Sequence, residues 1–244
     1  MQNIIISAQQ LTKNYGTPKA PILAVNSINF EIEQGSFTMI LGKSGSGKST
    51  LLNLLTGLDK ATSGVLEVNG ENLSNMSSRK LADYRSNIGI IFQFYHLLSN
   101  LNAVENILMG SWAGHRAGDR QRAEELMTSF GLGHRIEANV KTLSGGEKQR
   151  VAICRSLINN PSILFCDEPT GALDSANERE VMEILQKLNR EGMTIVMVTH
   201  APEFARLADT VISMQDGHID TIEKKEKVEV ASSQQASAPS KLAW

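Results

Sequence analysis

The stretch Gly42-Lys43-Ser44-Gly45-Ser46-Gly47-Lys48-Ser49 constrains this chain more than any other. It matches the G-x-x-x-x-G-K-[ST] pattern of a phosphate-binding loop, and its flanks carry the periodicity such a loop needs. Ser36-Phe37-Thr38-Met39-Ile40-Leu41 reads as a buried strand, and Leu51, Leu52, Leu54, Leu55 and Leu58 supply the apolar face of a helix beginning at the loop's end. The glycines let backbone N–H groups curl around a phosphate seated on the positive end of that helix. Lys48 then meets the β- and γ-phosphates and the Ser49 hydroxyl ligates Mg²⁺. An ordinary Gly/Ser turn has no need of Lys-Ser at a helix start.

Bulk properties narrow the partners. The 244 residues, 41% of them hydrophobic, suffice for one large elaborated domain or two small ones. A formal net charge of −2 gives no broad electrostatic footprint for nucleic acid, and no polybasic membrane patch is present. The longest apolar runs, Ile163-Leu164-Phe165-Cys166 and Ile195-Val196-Met197-Val198, fall far short of the roughly 20 residues a spanning helix needs. Met1-Gln2-Asn3 lacks the cationic start of a signal peptide. The expectation is a cytosolic protein whose role at a membrane comes through a partner. Cys154 and Cys166 have no Cys or His at metal-ligand spacing and read as small core hydrophobes.

Along the chain, Ile4-Ile5-Ile6, Ile22-Leu23-Ala24-Val25 and the alternating Ile28-Asn29-Phe30-Glu31-Ile32 predict strands of a small antiparallel sheet. Val65-Leu66-Glu67-Val68 adds another strand, closed by an Asn69-Gly70 turn. Ile88 to Phe92 is strand-like, and a helix-rich stretch follows from about 94 to 157, with a surface helix over Arg120 to Phe130. A parallel-sheet pattern resumes at Ile163 to Asp167, Thr194 to Thr199 and Val211 to Met214, with helices over Asn177 to Leu188 and Pro202 to Leu207 between them. The prediction is an α/β fold: a parallel-sheet core around the phosphate loop, an antiparallel β subdomain and an all-helical insertion. One domain is expected over 1–230, followed by a disordered Ala/Ser/Gln-rich tail over 231–244.

Other residues carry chemistry. Ile163-Leu164-Phe165-Cys166 ends in Asp167-Glu168, and carboxylates at a strand's carboxyl end lie beside the phosphate loop in an open α/β sheet. Asp167 is placed to hold Mg²⁺, and Glu168 is a candidate general base for the attacking water. Leu143-Ser144-Gly145-Gly146-Glu147 precedes a helix pattern that Ser144 could cap.

With these motifs in this order, the chain resembles the ATP-binding cassette family, whose P-loop NTPase core carries the signature Leu-Ser-Gly-Gly-Gln. The resemblance covers nearly everything before the tail. It implies ATP and Mg²⁺ as ligands, and hydrolysis to ADP and phosphate. It gives nucleotide contacts to Gly42, Ser44, Gly45, Ser46, Gly47, Lys48, Ser49 and Thr50, and adenine stacking to Tyr15. Ser49, Gln93 and Asp167 would serve the metal; Glu168, His200, Lys48 and Gln93 would serve catalysis. It further implies a head-to-tail homodimer in which Ser144 and Gly146 of one subunit meet the γ-phosphate held by the other, with Asp174 in the loop that crosses between them. Two positions depart from the family pattern. Glu147 stands for Gln, which should leave the Ser/Gly contacts intact, and Ala201 stands where many members carry an acidic residue. The remaining histidines, His96, His115, His134 and His218, read as surface or packing residues, and Arg116, Arg120 and Arg122 as a solvated face.

Phe92-Gln93-Phe94-Tyr95-His96-Leu97-Leu98, Val104-Glu105-Asn106, Thr56-Gly57-Leu58-Asp59 and Asp167 to Asp174 look most like the branch that powers lipoprotein release and macrolide export. That branch implies a cytoplasmic, membrane-peripheral ATPase dimer on a separate integral-membrane permease. It would energise export or extraction of a lipoprotein, peptide, drug or glycolipid. The alternatives are a mechanical regulator of the cell-division type and a soluble non-transport cassette. The interval from 48 to 144 is too short for the coiled-coil insertion of repair and chromosome members.

Overall fold

A computed structural model describes residues 3–112 and 119–225. In chain order, β1 (Ile4–Asn14) and β2 (Leu23–Glu33) form an antiparallel pair. On β2, Ile28, Phe30 and Ile32 are buried while Asn29 and Glu31 are exposed, as the alternation predicts. The two runs read from sequence are one strand, with Ser27 at φ 52 absorbing a register shift opposite Leu11 to Lys13. β3 (Phe37–Leu41) leads through the phosphate loop into α1 (Lys48–Leu55). Leu51, Leu52, Leu54 and Leu55 are buried, but Leu58 is not part of that face. The helix stops before Gly57, at φ 65, and Leu58 emerges half exposed.

β4 (Ser63–Val68) turns through Asn69 and Gly70, both at positive φ as a type I′ hairpin requires, into β5 (Glu71–Asn72). α2 (Ser78–Arg85), capped by Ser77, was not legible in the sequence. β6 (Gly89–Ile91) enters the helical part, α3 (Ala103–Trp112), α4 (Arg120–Ser129) and α5 (Gly145–Leu157). β7 (Ile163–Asp167), α6 (Ser175–Arg190), β8 (Thr194–Thr199) and β9 (Thr210–Gln215) complete the parallel core. Pro202–Leu207 is a 3₁₀ helix rather than an α-helix. The antiparallel strand β10 (His218–Lys224) was not anticipated. The tail at 231–244, with His115 and Arg116, lies outside the described residues.

The antiparallel sheet has the order β2-β1-β4-β5 and the larger sheet β10-β9-β3-β8-β7-β6. Alternate residues of β3, β7 and β8 serve two cores. Met39, Leu164, Cys166, Ile195 and Met197 pack with the helical part and α6. Ile40, Ile163, Phe165, Val196 and Val198 pack with α1 and the antiparallel sheet. Burial on both faces is why these strands read as unbroken apolar runs. Cys154 and Cys166 are free thiols in the first core, with burial raising both pKa values. Parallel register pairs Leu41 with Thr199, Asp167 with Val198 and Ile91 with Cys166. The carboxyl ends of β3, β6, β7 and β8 therefore deliver their loops to one edge of the sheet. Among the described residues no helix is long and apolar enough to cross a membrane.

Candidate nucleotide site

At that edge lies an open cleft of about 360 Å³, walled by Ser44 to Thr50, Ala24, Gln93, Asp167, Glu168 and His200. The structure thus brings together site residues that the sequence reading drew from four separate segments: the phosphate loop, Gln93, Asp167-Glu168 and His200. Gly47 sits at φ 97, and a Cβ there would run into the Ala24 carbonyl, so only glycine lets the loop turn into α1 at this point. Lys48 is buried, its Nζ donating to the carbonyls of Gly42 at 2.6 Å and Lys43 at 3.0 Å. Burial lowers its pKa, against the opposing pull of Glu168 and Asp167.

Asp167 ends β7 with one carboxylate oxygen, Oδ1, buried and unpartnered. Burial raises its pKa and the neighbouring Glu168 charge adds to this, while the Lys48 ammonium and the Ser49 hydroxyl pull it back. An orphaned, desolvated carboxylate oxygen beside a hydroxyl fits a divalent cation. Among the described residues no group of three or more His, Cys, Asp or Glu could hold a metal alone. One carboxylate, a hydroxyl, phosphate oxygens and water is the ligand set that suits Mg²⁺.

Glu168 stands at φ 46, a costly backbone for a glutamate, and strain of this kind gathers at functional sites. Its carboxylate is firmly held. Oε2 accepts from Thr199 Oγ1 at 3.0 Å and from the His200 N–H at 3.3 Å; Oε1 lies 2.9 Å from His200 Nδ1. The His200 ring is mostly exposed and faces the cleft. Thr199 is a positioning residue that sequence reasoning missed, because it reads simply as the last residue of a buried strand. Ala201, in place of an acidic residue, packs half-buried against the core and donates its N–H to Thr199 Oγ1 at 3.2 Å.

Gln93 reaches Gly171 in the loop after β7, where a Cβ would lie 3.1 Å from its Nε2. Beyond it, Tyr95 and His96 both have positive φ, and the half-buried Arg155, another missed residue, donates to both carbonyls at 2.6 Å. Tyr15 does not line the cleft and is 54% exposed, so it is no packed sheet-edge residue. Its phenol donates to Asp59 Oδ2 at 2.7 Å.

Ser144 and Gly146 also lie outside the cleft. Ser144 caps α5 as predicted: its Oγ accepts from the Glu147 N–H at 3.2 Å, and its own N–H donates to Glu147 Oε2 at 2.8 Å. Arg135 Nε donates to Glu147 Oε1 at 2.8 Å. The Ser144 N–H is the main cause of the lowered Glu147 pKa. Glu147 therefore completes the helix cap and leaves the Ser144-Gly145-Gly146 backbone undistorted. Asp174 caps α6, accepting from the N–H groups of Ala176 and Asn177. Asn177, unnoticed in the sequence, abuts Gly146.

His96 stacks on Phe92, His134 lies 3.9 Å from Glu147, and His218 bonds Asn26, consistent with surface or packing roles. Arg120 is solvated and paired with Glu124 and Glu137. Arg122 corrects the solvated-face expectation. Its Nε donates to the Ile158 carbonyl at 3.0 Å, and burial lowers its pKa.

Residues 25–171 match the family described as ABC transporter. The chain belongs to it. An uncharacterized ABC transporter ATP-binding protein of Methanocaldococcus jannaschii is 45% identical over 224 residues, 91% of this chain and 100% of that protein. The macrolide export ATP-binding/permease protein MacB of Syntrophobacter fumaroxidans is 42% identical over 88% of this chain, which spans only 31% of that protein's length. The dimeric structure of the bacterial ABC transporter cassette MJ0796 superposes with a TM-score of 0.82 at 37% identity, covering 90% of this chain and 98% of that one. The same cassette bound to ADP and Pi in a post-hydrolysis state gives 0.82 at 36%. The fold described above is thus that of an ABC ATPase cassette.

Proposed function

We propose that this cassette hydrolyses MgATP at two composite sites formed between two copies of the chain. The observation that carries this is the division of the site. One cleft holds Lys48, Ser49, Gln93, Asp167, Glu168 and His200, whereas the capped helix start at Ser144 and Gly146 is a second anion-binding end lying outside it. A facing copy brings the two together, and the MJ0796 cassette is itself dimeric.

In this reading the amides of Gly42 to Ser49 and Thr50 hold the phosphates and Tyr15 stacks on the adenine. Ser49 and Asp167, with Gln93, would hold Mg²⁺, which would neutralise charge on the phosphate oxygens. Lys48 spreads charge off the γ-phosphoryl group. Glu168, with Oε2 tied by Thr199 and the His200 N–H and Oε1 beside His200 Nδ1, takes the proton of the attacking water. That water's oxygen bonds to phosphorus as the bond to the ADP oxygen breaks. His200 lies beside this carboxylate to contact the γ-phosphate. Ser144 and Gly146 of the facing copy contact the same phosphate, and the Asp174 loop lies at the crossing.

Residues 1–230 act as one ATPase domain, with the helical part at 94–157 as its insertion. The cassette works on the cytoplasmic face of a membrane and drives a permease in export or extraction; in the MacB relatives, of which this chain spans only 31–38%, the name covers ATP-binding and permease parts together, whereas here the permease is a separate chain. The test is Glu168→Gln with the tagged full chain. Turnover should fall by about 100-fold or more, on the scale of losing a general base, while ATP binding persists. Hydrolysis near the wild-type rate would remove Glu168 from the role. Detergent pull-down from native membranes should recover a multi-spanning subunit; recovery of none would overturn the permease assignment.

A further inference from the structure

We propose that Asp59 and Lys13 are positioning residues that lock the Tyr15 ring in place to receive a purine base. This rests on the nucleotide site proposed above and extends it to residues on two other segments.

A tyrosine that is 54% exposed in the turn after a strand would ordinarily sample several rotamers, and a ligand ring stacking on it would have to freeze them. Here the freezing is built into the fold. The phenol donates to Asp59 Oδ2 at 2.7 Å. Asp59 Oδ1 in turn accepts from Lys13 Nζ at 2.6 Å and from the Lys60 N–H at 2.7 Å, so the carboxylate cannot swing with the ring. Lys13 is itself pinned, donating also to the Lys60 carbonyl at 2.8 Å, and its side chain is 13% exposed.

The ammonium of Lys13 stands 4.8 Å from the Tyr15 ring centroid, a cation–π contact that occupies one face and leaves the exposed area for a partner. The backbone below is equally fixed, since Asn14 Oδ1 accepts from the N–H groups of Gly16 and Ile22 at 2.8 Å each. The ring is also next to the phosphate cleft. The Thr50 side chain, which lines that cleft, is within hydrogen-bonding reach of the phenol. A rigid aromatic plane beside a triphosphate cradle suits the base of the same nucleotide. Stacking reads a π face and not base edges, so ATP and GTP should both use it.

The experiment compares ATP with inorganic triphosphate, which has the same phosphates and no base. Kinetic constants for ATP and the inhibition constant of triphosphate are measured for the full chain, Asp59→Ala, Tyr15→Phe and the double variant. Releasing the ring should raise KM for ATP about three- to tenfold, the scale of one immobilised side chain, with kcat within about twofold. Triphosphate inhibition should be unchanged. Tyr15→Phe, which keeps the ring and loses the same hydrogen bond, should match Asp59→Ala, the double variant should be no worse, and Asp59→Asn, which keeps an acceptor, should recover part of the loss. Equal weakening of ATP and triphosphate would show Asp59 acting on the phosphate loop and overturn the proposal, as would an unchanged KM. A wild-type chain indifferent to both compounds would instead bring down the nucleotide site itself.

Discussion

Gly146→Ala is the perturbation whose consequence the structure fixes most closely. A Cβ built on Gly146 would overlap Asn177 Oδ1 and lie 2.6 Å from its Cγ and 3.3 Å from its Cβ. Turning the Asn177 side chain away gives up its Nδ2 hydrogen bond to Asp174 Oδ2 at 2.8 Å, although the Asn177 N–H can still reach Asp174 Oδ1 at 2.9 Å. Overpacking of this kind costs about 1–3 kcal/mol, and alanine returns about 0.5–1 kcal/mol of helix propensity. The net loss, at most about 2.5 kcal/mol and centred on about 1, corresponds to a melting temperature lower by a few degrees and at most roughly 10 °C in a chain of this size. Thermal melts followed by circular dichroism measure it. In an Asn177→Ala background the clash is gone, and the same substitution should be neutral or raise the melting temperature slightly. ATP turnover should not recover with stability, because the methyl group still stands at the helix start assigned to the γ-phosphate. An equal thermal loss in both backgrounds, or full activity in the stable double variant, would refute the reasoning.

Thr199→Val removes the hydroxyl that holds Glu168 Oε2. A hydrogen bond to a charged group contributes about 1.5–3 kcal/mol, so kcat should fall about tenfold or more, with Thr199→Ser restoring most of it. Asp167→Asn should stabilise the nucleotide-free chain at pH 7, because burial raises the pKa of Asp167 and so penalises its ionised form in the folded state. The sign follows from that shift. The penalty is absent below the unfolded carboxylate's pKa of about 3.9 and grows as the pH rises through the raised folded value, so the gain in melting temperature should vanish in acid. The same variant should lose Mg²⁺-dependent turnover.

The parts of the fold that sequence discloses are those whose burial is one-sided or complete. β3, β7 and β8 stand out as apolar runs because both faces are covered, and β2 stands out because its alternation is clean. β10 gives no such signal. Its side chains are nearly all exposed and it is held by backbone pairing to β9, while its Glu223 and Lys224 look like the start of a charged tail. α2 was hidden for a similar reason, since Leu81 and Tyr84 are its buried residues and the rest is polar.

Leu58 was assigned to a helix face because periodicity cannot show where Gly57 ends the helix. At the site, local motifs were legible and long-range partners were not. The phosphate loop and the Ser144 cap are contiguous patterns, whereas Thr199 meets Glu168 from another strand and Asp59 meets Lys13 and Tyr15 from the loop after α1. Arg122 shows the opposite error. Its charge suggested solvent, but its guanidinium is drawn inward by the carbonyls at the end of α5.

The central claim is that neither cleft nor helix cap is a complete site within one chain, and mixing two inactive variants tests it. Lys48→Ala should be inactive through its own cleft, and Ser144→Arg through the site it offers to a partner. Mixed in equal amounts, they form heterodimers in which one composite site pairs an intact Lys48 with an intact Ser144. The expected result is ATP hydrolysis restored in the mixture, to about a quarter of wild type if the subunits assort randomly and each site works independently. A mixture as inactive as its components, or a Ser144→Arg chain that hydrolyses ATP at the normal rate, would contradict it.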